Sequence, residues 1–368
     1  MRNRNRRSFR LGLGAALSAA LVVALAACGS SEEPASDAGS ATPASPEWQA
    51  VIDAAEKEGQ LVLYTNSDGV NSAPFKAAWA KAYPKIQLVA SPYPSGELTA
   101  KLDAEKGGGV AGADAITVST IPWLDANLDR LVKPTGPALA KYWAGNKYVW
   151  ADGKYVLAAA TPLGAGVNTE LLAKFGNPQV TTYKDLLRPE FKGAFGIVPG
   201  KGSPAAEQWW YGAVKEMGGD PAVTQLAALE PRVYTSPTAL ATDLASGEVA
   251  IGAQTIRGTV EALAAKGAPV KFMPLSPVIS TPVASAIVSW AKHPNAAQVF
   301  QNWLLSAEGQ IALTGSGSLL TALPLAELGT VPPTMQQIPA DATVVNGKLT
   351  DEQKSWVSTL WNPTLKLG

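Results

Sequence analysis

The stretch Leu61-Val62-Leu63-Tyr64-Thr65-Asn66-Ser67-Asp68-Gly69 decides the fold. Its four apolar residues read as a short buried strand, and the polar residues after them as the loop at its end. Downstream, Phe75, Ala78, Trp79 and Tyr83 recur at helical spacing until Pro84 stops them. Ile86-Gln87-Leu88-Val89 reads as a second strand. Glu97 to Lys106 reads as a helix ended by Gly107-Gly108-Gly109, and Ala113 to Val118 as a third strand. Upstream, Glu47 to Lys57 is helical in pattern, with Trp48, Val51, Ile52 and Ala55 on one stripe and Gly59 as the stop. This β-α-β-α-β alternation predicts an α/β fold with a parallel, doubly wound sheet. In such sheets ligands bind beyond the carboxyl ends of the strands. Those ends carry Tyr64, Thr65, Asn66 and Ser67 here, then Ser91-Pro92-Tyr93, then Ser119 and Thr120. Gly107 to Gly109 follows a helix and not a strand, so it is a loop and not a dinucleotide site.

A second alternation follows an extended section, Lys147 to Asn168. Tyr183 to Leu187 reads as a short helix, Gly193 to Val198 as a strand and Pro199 to Pro204 as a loop. Ala205 to Met217 reads as a helix, Arg232-Val233-Tyr234 as a strand, Ala239 to Ala245 as a helix capped by Ser236, and Val249 to Gly252 as a strand. The chain thus reads as two α/β halves without an obvious internal repeat.

Composition narrows the chemistry. The 368 residues are 46% hydrophobic and 16% charged, which excludes a long disordered chain. Thirty basic residues balance thirty acidic ones, so no global basic field awaits nucleic acid. One Cys and one His exclude a disulfide scaffold and leave little room for metal sites or Ser-His and Cys-His catalysis. No Gly-x-Ser-x-Gly elbow accompanies the single His293, which argues against an exported hydrolase.

The N-terminus has five arginines and no acid before an apolar run from Leu11 to Ala27. A basic start, an apolar middle and small residues at the end describe a signal peptide over 1–27. The run closes Leu25-Ala26-Ala27-Cys28-Gly29, which resembles the lipobox of bacterial lipoproteins; the resemblance implies a lipid on Cys28. Arg6-Arg7-Ser8-Phe9 also resembles a twin-arginine export signal, so both export routes stay open. Cleavage would remove five Arg and leave 25 basic against 30 acidic residues, a net charge of −5. Residues 28–46 read as a flexible tether of Ser, Ala, Pro, Gly and acidic residues.

Several further stretches carry a family likeness. They are Asp185-Leu186-Leu187-Arg188-Pro189-Glu190-Phe191-Lys192-Gly193, Ala245 to Gly252, and His293-Pro294-Asn295-Ala296-Ala297 leading through Phe300 to Trp303 and Gln310. In this order the chain resembles the iron(III)/organic-solute family of ABC-transporter substrate-binding proteins, with the type II periplasmic binding fold. The resemblance implies two lobes closing on a small solute, an ABC permease as partner, and an exported, lipid-anchored monomer without cofactor or catalysis. Lobe one is expected from residues 48–157 with about 281–325, and lobe two from 158–280 with 326–368, the two joined by extended crossings near 155–168 and 275–285. The family's iron branch holds its metal with adjacent tyrosines after the strand equivalent to Val249–Gly252. This chain has Ala253-Gln254-Thr255-Ile256-Arg257 there, an unsuitable donor set for ferric iron. Tyr64, Tyr211 and Tyr234 keep iron only as an alternative.

Each candidate has a plainer reading. Arg257, with a fork suited to carboxylate or phosphonate, is alternatively a surface partner of Glu261 one turn on. Gly202 and Ser203 stand before a helix where free N–H groups hold anions, next to Lys201; an ordinary N-cap is the alternative. Thr65, Asn66 and Ser67 are either strand-end ligand contacts or turn residues. Trp123, Trp209, Trp210 and Tyr211 are cleft walls or core, and one of the adjacent pair Trp209 and Trp210 is expected to face elsewhere. Gln254 and Thr255 complete the expected site, for a small organic anion.

Overall fold

The computed structural model describes residues 45–110, 112–201 and 203–367. The expected signal peptide over 1–27, Cys28 and Gly202 lie outside the described residues. Of the expected tether over 28–46 only the last two residues are described, and there the Ser45 side chain caps a helix over Pro46–Glu58.

The strands in chain order are β1 Gln60–Thr65, β2 Gln87–Pro92, β3 Ala115–Val118, β4 Leu131–Val132, β5 Val149–Trp150, β6 Tyr155–Asn168 and β7 Phe195–Ile197. They continue as β8 Arg232–Val233, β9 Ile251–Ile256, β10 Val270–Met273, β11 Ile279–Val288, β12 Leu320–Thr321, β13 Gln336–Gln337 and β14 Thr343–Val344. The main path of the sheet is β2-β1-β3-β11-β6-β9-β7-β8. At one end β1 runs parallel to β2 and β3, and at the other β7 runs parallel to β8 and β9. Between these trios β6 and β11 lie antiparallel to each other, to β3 and to β9. Parallel neighbours need a crossover helix, which the α/β alternation supplies, whereas the two crossing strands connect the trios directly. The crossing strands are rich in small residues. A Cβ on Gly164 of β6 would lie 2.7 Å from the Met273 carbonyl and from the Phe272 ring, so glycine lets β10 approach.

Two large cores flank the crossing strands within the unit Ala44–Gly368. The first gathers Leu61, Leu63, Phe75, Trp79, Phe300 and Trp303. The rings of Phe75 and Trp303 meet edge to face at 5.2 Å, and those of Trp79 and Phe300 at 5.6 Å. The second gathers Tyr183, Phe195, Ile197, Trp209, Trp210 and Trp361. Leu328, Met335 and Ile338 pack in the first core, which corrects the assignment of residues 326–344 to the second lobe; the β12–β13 pairing carries them across. Val345, Trp356 and Trp361 pack in the second.

Trp209 and Trp210 are both fully buried, against the expectation that one faces elsewhere. Trp209 faces the sheet and donates to the Ile279 carbonyl at 3.2 Å. Trp210 meets Trp361 of the C-terminal segment, centroids 4.7 Å apart. The helix Pro204–Met217 is therefore covered on two sides, and a helix so placed buries more than one stripe.

His293 sits at the start of the helix Pro294–Leu304, away from the strand ends. Its backbone N–H and Nδ1 each lie 2.8 Å from the fully buried Asp114 carboxylate, which also accepts from Val62 N–H at 2.7 Å. The lone histidine thus pins this helix to β1. Glu58 accepts from the N–H groups of Asn295 and Ala296, a carboxylate placed against a helix N-terminus. No helix among the described residues is long and apolar enough to cross a membrane.

Candidate functional site

A cavity of about 790 Å³ opens at the carboxyl ends of both parallel trios. Small-solute sites fall in this size range and at this place in α/β sheets. From one side come Asn66, Ser67 and Gly69 after β1, Ser95 at the helix start beyond β2, and Ser119 after β3. From the other come Val198 to Lys201 after β7, Val233 to Thr235 around the end of β8, and Gln254 and Ile256 of β9. Among the described lining residues the charged side chains are Lys201 and Lys366. The described wall is thus cationic.

The polar wall is built in a definite order. Thr65 is buried, and its Oγ1 accepts from Thr117 Oγ1 at 2.6 Å and from Ser67 N–H at 2.9 Å. It positions the turn after β1 and does not itself line the cavity. The amide nitrogen of Asn66 donates to Ser95 Oγ and Ser119 Oγ, each at 2.8 Å. Both hydroxyls accept from the amide, so each keeps its own proton to donate to a solute. Across the cavity, Ala205 and Ala206 bring the first turn of the helix Pro204–Met217 to the wall, and no side chain caps it. Uncapped first-turn N–H groups favour an anion. Gly200 makes this approach possible. Its φ is +78°, and a Cβ there would lie 2.5 Å from Ala206 Cβ.

Gln254 is buried at a φ of +66°. Gly164 pairs with Thr255 and Ala165 with Ala253, so Gln254 is the extra residue of a β-bulge. Such a backbone costs about 1–3 kcal/mol in a residue other than glycine. The bulge turns the Gln254 amide to the Ala206 carbonyl, 3.1 Å away, and joins β9 to the helix N-terminus at the wall.

The cavity gathers Asn66, Ser67, Ser119, Ser203 and Gln254 of the expected site. The other expected residues that are described stand elsewhere. Tyr64 is buried in core, its hydroxyl donating to Glu105 at 2.8 Å. Thr120 precedes the helix Ile121–Ala126 without lining the cavity. Trp123 donates to Asp103 at 3.3 Å. Thr255 is fully buried and donates to the Gly164 carbonyl. Tyr211 faces a separate groove, its hydroxyl on Glu352. Arg257 takes the plainer of its two readings: Nε donates to Glu261 at 2.7 Å and Nη1 to Gln336 at 3.1 Å, while its neighbours Ile256 and Gly258 line the cavity. Replacing Arg257 by Ala is therefore expected to change solute affinity by less than about threefold. The matching stability change is below about 0.5 kcal/mol, and calorimetry with chemical unfolding checks both.

Ser95 and Lys366 also line the cavity. The sequence signal for Ser95 is its place just beyond the end of β2; nothing local marks Lys366. The phenols of Tyr64, Tyr211 and Tyr234, the alternative iron ligands, are each engaged with a carboxylate. Burial, aided by Glu105 and Asp243 respectively, pushes Tyr64 and Tyr234 up to about 12, so both hold their protons as donors. Among the described residues no cluster of three His, Cys, Asp or Glu is placed to hold a metal.

The chain matches the family model for bacterial extracellular solute-binding proteins over residues 72–343. No curated protein sequence matches it. Among solved structures it is similar to the substrate-binding protein of an ABC transporter from Agrobacterium tumefaciens, at 15% identity and a TM-score of 0.66, covering 85% of this chain and 97% of that one. Iron-bound HitA from Pseudomonas aeruginosa is similar at 21% identity and 0.57, covering 76% and 95%. The periplasmic binding protein AfuA from Actinobacillus pleuropneumoniae, solved with fructose-6-phosphate, is similar at 21% and 0.58, covering 84% and 100%. At these identities the likeness concerns the fold, that of type II periplasmic binding proteins.

Proposed function

We propose that this chain, which belongs to the bacterial extracellular solute-binding protein family, captures a small organic anion and delivers it to the permease of an ABC importer. The observation that carries the anionic class is the cavity wall: two lysines are its only charged side chains among the described residues, beside serine hydroxyls and an uncapped helix N-terminus. A carboxylate, phosphate or phosphonate group suits these donors, and a polyamine does not. Residues 48–157 with about 281–344 act as one lobe, and 158–280 with 345–367 as the other. β6 and β11 serve as the hinge between them, and the closed form docks on the permease as a monomer. No residue is assigned a catalytic role.

The test is direct. Native mass spectrometry of protein purified without refolding, followed by thermal shift with citrate, malate, glycerol 3-phosphate and phosphonoacetate, is expected to find an anion. Spermidine and glycerol serve as the cationic and neutral controls. A shift confined to spermidine would sink the reading. Ferric iron remains the competing ligand of the fold, and ferric citrate is expected to produce no tyrosinate charge-transfer band.

Cys28 is proposed as the lipid anchor on the outer face of the membrane, on the strength of Leu25-Ala26-Ala27-Cys28 behind an arginine-led apolar run. Cys28→Ala is expected to move the protein out of the membrane fraction or to leave its signal uncut. Unchanged processing and membrane association would refute the anchor.

A further inference from the structure

We infer that the C-terminal segment Asp351–Leu367 is a working part of the solute site, so that docking of this segment and capture of the anion form one linked equilibrium. The inference rests on the anion reading above.

The segment lies beyond residue 343, where the family match ends. It lays Trp356 and Trp361 on the helix Pro204–Met217. The centroids of Trp356 and Trp361 are 5.4 Å apart, and Trp356 donates to Asp220 at 3.0 Å. The Trp210 indole donates to the Val198 carbonyl at 2.7 Å, and the Trp361 indole to the Pro199 carbonyl at 3.2 Å. Both acceptors belong to the loop that runs on through Gly200 to Lys201. One of the two indoles bracing the cationic loop therefore comes from the C-terminal segment.

The segment also reaches the cavity itself. Leu367 N–H bonds to the Asn362 carbonyl at 2.9 Å and Lys366 N–H to the Pro363 carbonyl at 3.2 Å, which closes the last turn with Lys366 at a φ of +53°. Four longer helices end on glycines at positive φ: Gly59, Gly109, Gly218 and Gly247. Glycine adopts this backbone at no steric cost, and lysine does not. What lysine adds is a second cation among the residues lining the cavity. An anion between the lobes that engages Lys366 favours the docked segment, and by reciprocity the docked segment favours the anion.

Pyridoxal 5′-phosphate is a suitable probe. Its phosphate supplies the anion, and its aldehyde condenses with a lysine amine, releasing water, to an imine that borohydride reduces to a stable amine. Peptide mapping of the whole chain is expected to find Lys366 and Lys201 labelled about tenfold faster than the exposed Lys57 and Lys266, with inorganic phosphate slowing both. Lys366→Gly is expected to slow labelling of Lys201 by about tenfold and yet to raise the melting temperature, because glycine relaxes the left-handed turn. A lysine of merely structural value would leave the Lys201 rate unchanged. Overturning results are a Lys366 rate equal to that of Lys57, or a Lys201 rate untouched by Lys366→Gly. Fast labelling of Lys201 alone leaves the anion reading standing and removes this inference. If neither lysine exceeds the reference rate, both fall.

Discussion

Replacing Lys201 by Ala is expected to weaken capture of the anionic solute by about 10- to 150-fold. The lysine lines the cavity from a loop braced by two indoles and held against the helix start by Gly200. A hydrogen bond to a charged group contributes about 1.5–3 kcal/mol, and 1.4 kcal/mol is a factor of ten. In the proposed closed form the contact is expected to strengthen, because water around it is removed. The loss is therefore expected mainly in the dissociation rate, and it grows as salt is lowered because screening falls. Lys201→Arg is expected to restore part of the affinity. Isothermal calorimetry at two salt concentrations reads the effect. Wild-type affinity in Lys201→Ala would remove the charge of this loop from the recognition of the solute.

The largest loss of stability is expected far from the cavity, at Asp114. Its fully buried carboxylate accepts from Val62 N–H, His293 N–H and His293 Nδ1 at 2.7–2.8 Å. Alanine there strands three donors in the interior. Each buried group left without a partner costs about 1–3 kcal/mol, and breaking a buried pair costs about 3–5 kcal/mol. We expect a loss of about 3–5 kcal/mol in urea unfolding, a large share of the 5–15 kcal/mol typical of a folded domain. Solute affinity at saturating folded protein is expected to stay unchanged, since Asp114 does not line the cavity. A loss below about 1 kcal/mol would mean that water or a neighbour satisfies the freed donors.

Local pattern carried the elements. Leu61 to Tyr64 is an apolar run between a glycine stop and a polar loop, and it is β1 within a residue or two. The helix expected over Ala205 to Met217 begins one residue earlier, at Pro204, and ends where expected, on Gly218. The order of such signals determined the α/β class, because parallel strands demand crossover helices whatever the rest of the chain does; the crossing near 275–285 rested on the family resemblance. The order of signals also pointed to strand ends, and Asn66, Ser67, Ser119, Ser203 and Gln254 do stand at the cavity.

Only the tertiary structure decided which polar residues face the cavity and which are consumed in building it. Thr65 and Thr255 look like their neighbours in sequence, yet the pleat turns both inward, where the Thr65 hydroxyl accepts from Thr117 and the Thr255 hydroxyl donates to the Gly164 carbonyl. Arg257 has a donor fork either way; the helix geometry that sets Glu261 four residues on, with Gln336 brought alongside by the fold, engages it. Trp209 and Trp210 are both buried because a segment more than 140 residues later covers the second face of their helix. Lys366 reaches the wall by the same folding back of the chain. Periodicity reports the environment within one element, a few residues at a time. The partners that bury a side chain, or leave it facing the solute, come from distant parts of the chain, and short-range pattern does not encode them.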